Sequence, residues 1–265
     1  MATVNDIYTF LDQKAPFAIQ EDFDNAGFLV GKGTAPVHRA LVALDITPEV
    51  IREAAEQRAE LIVAHHPVIW GKIASVTDAD NTGRKLLSLI EHGIAAICAH
   101  TNLDAVEGGV NSALAQRLGL KDVTLLEQAG AFTDGVPYGI GRVGELEQGP
   151  VSPSAFGQWV KQALCLDGVR FMPGTRPIRR VAVGGGACGS MLPQAAALGC
   201  DAFVTADLKH DLYLEAKELG LTLVDAGHFS TEAVVCPILQ SWLLEAFPDL
   251  QVSVSAVQKE VFSYL

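Results

Sequence analysis

Two adjacent imidazoles, His65 and His66, close an apolar run and are followed by Pro67. A second apolar run leads into Ala99-His100-Thr101-Asn102-Leu103-Asp104, and a third into Gly227-His228-Phe229-Ser230-Thr231-Glu232. Imidazole nitrogens and carboxylate oxygens ligate divalent transition metals, and side chains delivered from several strand ends can converge at the rim of an α/β sheet. In extended chain His65 and His66 project to opposite sides, and Pro67 biases His66 toward extended backbone. Rings pointing apart serve one ion poorly and suit two neighbouring ions. Asp104 and Glu232 supply oxygen donors, and a carboxylate can bridge two ions about 3.5–4 Å apart with a shared water between them. His65, His66, Asp104 and Glu232 are therefore candidate metal ligands, and His100 and His228 stand in the same clusters. Each alone reads as a strand terminator or a first-turn helix acid; three clusters at equivalent strand ends outweigh that. His100 and Asp207 sit at matching strand ends and are the candidate catalytic residues, as proton carriers or as partners that orient the ligands.

The elements that must position these groups repeat. Residues 39–66 and 180–207 align without a gap: a short apolar strand, a loop, an Ala-rich amphipathic segment, an acidic residue (Glu60, Asp201) and a second apolar strand. The second strands end at His65-His66 and Ala206-Asp207. Each copy continues with a helical segment (85–90, 212–216) and a third strand (94–98, 221–224), closing in Ala-His-x-x-x-Asp and Gly-His-x-x-x-Glu. Alternating strands and helices imply βαβ units with parallel pairing and right-handed crossovers. The predicted fold is α/β, with two similar βαβ-based lobes from an internal duplication and the metal site between them. Residues 121–175 break the rhythm with Gly and Pro, and Ser152 or Ser154 could cap a helix there. The expected lobes are 1–125, resumed by part of the C-terminus, and 126–265, a connector followed by the second lobe.

Composition narrows the function classes. The 265 residues are 49% hydrophobic and carry a formal net charge of −12. That balance disfavours a nucleic-acid surface or a polybasic membrane contact, both of which need Lys and Arg. A small anionic substrate held by metal ions remains compatible with it. The five cysteines (98, 165, 188, 200, 236) form no C-x-x-C pair and sit in apolar or Gly/Ala-rich contexts, which predicts buried reduced thiols. No export signal is visible at the N-terminus and no apolar run approaches membrane-spanning length. A soluble cytoplasmic protein is expected.

Other motifs have weaker readings. Gly184–Gly189 fits G-x-G-x-x-G after an apolar strand, with Asp207 about 20 residues on, as a dinucleotide fingerprint would require. Pro193 should interrupt the receiving helix, so a Gly-rich turn for close backbone packing between the lobes is preferred. Asp24 and Asn25 read as turn residues. Lys209 and His210 read as a solvated helix start, and Trp70 reads as packing.

Five motifs occur in order along nearly the whole chain: FDNAGFLVG (23–31), LDIT (44–47), AHHPVIW (64–70), HTNLD (100–104) and AGHFSTE (226–232). Together they resemble the NIF-three-like dinuclear metal proteins, commonly labelled GTP cyclohydrolase 1 type 2 homologues, in the short form without an inserted middle domain. The resemblance implies two α/β lobes around a dinuclear centre and a ring of six subunits with the metals facing inward. It also implies that His66 and Asp104 bind one ion, His65 and His228 the other, and Glu232 bridges. Ala206-Asp207 departs from the Gly-Glu of many relatives. The functional expectation is a metal-dependent hydrolase of a nucleotide or other small anionic molecule, GTP cyclohydrolase-like by resemblance. The alternative is a non-catalytic metal carrier or regulator using the same ligands, and a nucleotide-binding oxidoreductase built on the Gly-rich loop is a third reading. Zinc, iron, manganese, cobalt and nickel all suit two such sites.

Overall fold

Leu61-Ile62-Val63-Ala64 and Ala95-Ala96-Ile97-Cys98 are unbroken apolar runs, the pattern of strands covered on both faces. Both are fully buried parallel neighbours. In the computed structural model, which describes all 265 residues, the chain divides into two compact units. One comprises Met1–Leu103 with Cys236–Lys259, the other Asp104–Val235 with Glu260–Leu265.

The first unit is built on a five-stranded sheet in the order Gln251–Val254, Arg39–Ala43, Leu61–Ala64, Ala95–Cys98, Gly27–Val30. All neighbours are parallel except Gly27–Val30, which runs antiparallel to Ala95–Cys98. Two crossover helices cover it. Thr47 caps Pro48–Glu56 by accepting from the Val50 amide, with Pro48 in the first turn where its missing N–H costs nothing. Asp80 caps Asn81–Glu91 through the Gly83 amide. Ile51 and Leu89 are buried to 1% and 0% exposure in the shared core, each stabilising the fold by about 1.5–3 kcal/mol relative to an exposed side chain. Glu53, buried on the first helix, accepts from the Ser255 hydroxyl at 2.5 Å and the Ala256 amide at 2.9 Å, and so anchors the returning C-terminal segment.

Register sets the site. Ala43 pairs with Ala64, and Ala64 with Cys98. The ladder extends one step further, with His65 N–H donating to Ala43 O at 3.3 Å and Ala99 N–H to Ala64 O at 2.9 Å. The strands therefore end level, and Leu44-Asp45, His65-His66 and Ala99-His100 leave the same sheet edge side by side.

The second unit carries a six-stranded sheet in the order Arg170–Met172, Thr222–Asp225, Ala202–Thr205, Arg180–Val183, Arg142–Leu146, Leu120–Leu125. Its central three strands are parallel and the flanking pairs antiparallel. Each unit thus contains three parallel strands joined by two helices, in a mixed α/β arrangement. The Gly- and Pro-rich middle of the chain supplies edge strands and the helix Pro153–Ala163, which Ser152 caps. Pro193 does not interrupt a helix: it lies in the first turn of Leu192–Ala197, where proline's fixed φ is already helical. Cys98, Cys200 and Cys236 are buried as expected, whereas Cys188 is half-buried and Cys165 is exposed just past the end of the helix Pro153–Ala163. No helix is long and apolar enough to cross a membrane.

Candidate metal centre

In the first unit, ligand atoms of His65, His66 and His100 lie within 4.8 Å of one another. The ring centroids of His65 and His66 are 5.0 Å apart, so the two side chains do not project to opposite sides as the sequence suggests. The reason is local. The strand ends at Ala64, and from His65 onward the chain bends, so strand alternation no longer applies. His100 joins them from the next strand end, 5.1 Å from His65 and 5.6 Å from His66 between centroids. Trp70 meets the His100 ring edge-on at 5.0 Å.

Every one of these imidazoles is oriented through Nδ1. His65 Nδ1 lies 2.8 Å from the Ala99 carbonyl, which can only accept, so this nitrogen carries the proton and the lone pair of the neutral ring is at Nε2. His66 Nδ1 lies 2.7 Å from Asp45 Oδ1, and His100 Nδ1 lies 2.9 Å from Asp24 Oδ1. In the second unit His228 Nδ1 lies 2.7 Å from Asp207 Oδ2. A hydrogen bond at one ring nitrogen fixes tautomer and orientation and makes the other a better metal ligand. Asp24 also accepts from the amide and hydroxyl of Thr101. Burial opposes ionisation of Asp24, yet the hydrogen bonds from His100 and Thr101 hold its carboxyl at about 2.

The second unit brings carboxylates. His228 opens the short helix His228–Glu232, and the i,i+4 spacing stacks the two side chains, with His228 Nε2 3.0 Å from Glu232 Oε2. Gly185 and Gly186 lie behind Glu232. A Cβ on Gly186 would stand 2.1 Å from Glu232 Oε1, and Gly186 has φ +62°, so only glycine fits. The loop amides are already committed: Gly185 N–H donates to Asn111 Oδ1, Gly186 N–H to Thr231 Oγ1 and Cys188 N–H to Thr205 Oγ1. This loop is a cradle for Glu232, with its close packing inside one unit, and the amides of Gly184, Gly185, Gly186 and Cys188 are taken by the protein's own acceptors. Asp104 ends up in this unit at the close of Thr101–Ala105. Directly after it the buried Arg142 guanidinium donates to the Val106 carbonyl at 2.7 Å and to the Gly139 and Gly141 carbonyls. Burial raises the Cys188 thiol far above its usual range, and the charges of Asp104 and Glu232 add to the effect. Burial likewise pushes Cys98 and Cys236 up to about 12 and Cys200 to about 11. The available donors are thus imidazoles and carboxylates rather than thiolates.

The donor chemistry fits divalent metal. One unit offers three imidazoles and the other an imidazole with two carboxylates. The sequence pointed to all of them, but it missed Asp45 and saw only the turn role of Asp24, whose amide donates to the Glu21 carbonyl and whose carboxylate accepts from the Asn25 amide as well as meeting His100. Asp45 could have been found from its place directly after the apolar run Ala40–Leu44, level with His65-His66. Asp207, a candidate proton carrier or orienting partner, lies against His228 Nδ1, and it holds φ at +53°, unusual for a residue with a side chain.

A profile for the Duf34/NIF3 (NGG1p interacting factor 3) family matches residues 2–261. A Clostridium perfringens protein described as a GTP cyclohydrolase 1 type 2 homolog is 33% identical over 264 residues, 99% of each chain. A Staphylococcus aureus hypothetical protein of solved structure superposes with a TM-score of 0.90 at 30% identity, over 99% of each chain. A Bacillus cereus protein related to NIF3 superposes with a TM-score of 0.93 at 23% identity over 100% of this chain and 99% of its own, a likeness of fold. From the first β-strand to the C-terminal return, the chain belongs to the Duf34/NIF3 family.

Proposed function

We propose that this protein is a dinuclear divalent-metal protein that hydrolyses a nucleotide or other small anionic molecule. His66 and Asp104 would hold one ion, His65 and His228 the other, and Glu232 would bridge them. The observation that carries this reading is the set of Nδ1 hydrogen bonds: His65, His66 and His228 each present Nε2 as the ligating nitrogen, held by Ala99, Asp45 and Asp207. Two ions, when bound, would supply Lewis-acid activation of water and neutralise charge on the substrate. The chain's own part is to fix the donors. Asp24 holds a proton on His100 Nδ1 and turns that ring toward His65 and His66, where it can take up or deliver a proton. An origin by duplication accounts for the paired βαβ units, with His100 and Asp104 in one corresponding to His228 and Glu232 in the other. A homo-oligomeric ring, a hexamer by family resemblance, and a cytoplasmic location complete the proposal.

Metal analysis and turnover test it together. Protein purified without chelator should contain about two divalent ions per chain. Glu232→Ala should lose most of both, and His66→Ala mainly one. A folded Glu232→Ala variant that keeps wild-type metal would overturn the assignment. Full metal content with no turnover on a wide screen of nucleotides and phosphoesters, together with ready exchange of metal to an acceptor, would replace the hydrolase by a metal carrier using the same ligands.

A further inference from the structure

A cavity of about 1090 Å³ lies wholly within the first unit, in the groove between the helices Pro48–Glu56 and Asn81–Glu91, and His66 forms part of its wall. Its lining is unlike the rest of this acidic chain. Arg52 comes from one helix and Arg84 and Lys85 from the other, three cations against the two carboxylates Asp45 and Glu56 in the same lining, in a protein of net charge −12. Arg84 is steadied by the Asp78 carbonyl and the Asn81 side chain, so its guanidinium is held in place. The lining also includes the nearly buried Ile51 and Val68 and the indole of Trp70, which is more than half exposed at 55%. Thr47 and Asn81 at the starts of the two helices and Glu56 and His92 at their ends also line the space, so the groove runs the length of both helices.

We infer that this groove is the binding site for a phosphorylated small molecule carrying a planar ring, of nucleotide size. Arg and Lys side chains from two elements suit a phosphate, which accepts several charge-assisted hydrogen bonds at once. An exposed indole beside aliphatic side chains suits the face of a ring. The volume slightly exceeds the usual range for small-molecule sites, about 300–1,000 Å³, enough for both parts. The position also agrees with the rule that ligands of open α/β sheets bind beyond the carboxyl ends of parallel strands. The inference deepens the hydrolase reading, on which it rests only in that His66 is where the ligand would meet the metal.

Titration calorimetry on the metal-loaded protein tests it, with guanosine triphosphate, adenosine triphosphate, inorganic tripolyphosphate and guanosine as probes. At least one nucleoside triphosphate should bind more than tenfold tighter than either tripolyphosphate or guanosine. The Arg52→Ala/Lys85→Ala variant should weaken that binding at least tenfold while metal content stays at the wild-type value, and Trp70→Ala should erase the advantage over tripolyphosphate. Wild-type affinity in the double variant, equal binding of tripolyphosphate and nucleotide, or no nucleotide binding at millimolar concentration would each overturn the inference. Nucleotide binding without turnover would uphold the site and count only against the hydrolase reading.

Discussion

Asp207 reaches Nδ1 of His228 at 2.7 Å from a left-handed backbone, φ +53°. Such a conformation costs a residue with a Cβ roughly 1–2 kcal/mol, and here that cost accompanies the orientation of a candidate metal ligand. Strain of this kind collects where a side chain must be aimed.

Asp207→Asn tests the pairing. Asparagine tolerates the left-handed region, so the backbone survives, but the charge that fixes the His228 ring is gone. Metal affinity should fall about 10–100-fold, the usual cost of losing a carboxylate that orients a ligating histidine. The apo-protein should melt near the wild-type temperature. Unchanged metal affinity by competition against a chelating dye would remove Asp207 from the site.

Gly186→Ala should be more damaging than its single methyl suggests. The new Cβ would collide with Glu232 Oε1 and would sit at φ +62°, a loss of about 2 kcal/mol or more in stability. Because the methyl displaces the carboxylate, metal content should drop even where the fold persists. Denaturant melts and elemental analysis of the same preparation measure both effects, and wild-type values in each would show that the loop relaxes away from Glu232.

Acid should act through Asp24. Its folded-state pKa of about 2 lies below the ordinary aspartate value. A depressed pKa means the carboxylate contributes stability that is fully present above about pH 4 and is lost as the pH falls toward 2. The wild type should therefore lose stability across that window more steeply than Asp24→Asn, whose stability should be lower at neutral pH and flatter in acid. Parallel slopes in urea melts from pH 5 to pH 2 would contradict this.

The proposed ring has a direct test. At micromolar protein, sedimentation equilibrium should show a species several times the 28.1 kDa chain, six chains by the family resemblance. A single species at the chain mass would reject the assembly.

What the sequence made legible, and what it did not, follows the reach of the interactions. His65, His66, His228 and Glu232 stood out because residue type and spacing within a few positions carry the signal. The parallel strands followed from apolar runs such as Leu61–Ala64. The acceptors that aim the rings were harder to see, because Asp45 precedes His66 by 21 residues and Asp24 precedes His100 by 76. Only strand register brings them together. The opposed projection of His65 and His66 failed because alternation holds inside a strand and theirs ends at Ala64. Gly184–Gly189 was read correctly as close packing, but its partner is a carboxylate of its own unit, which no local pattern announces.

The strand Gln251–Val254 completes the sheet of the first unit beside Arg39–Ala43. On a ribosome the chain would expose Arg39–Ala43 as an open edge through the synthesis of the entire second unit, residues 104–235. Unpaired apolar edges invite intermolecular pairing. The N-terminal half therefore waits for its last strand throughout translation, and truncation before residue 251 should send the product into inclusion bodies although every proposed metal ligand has already been made.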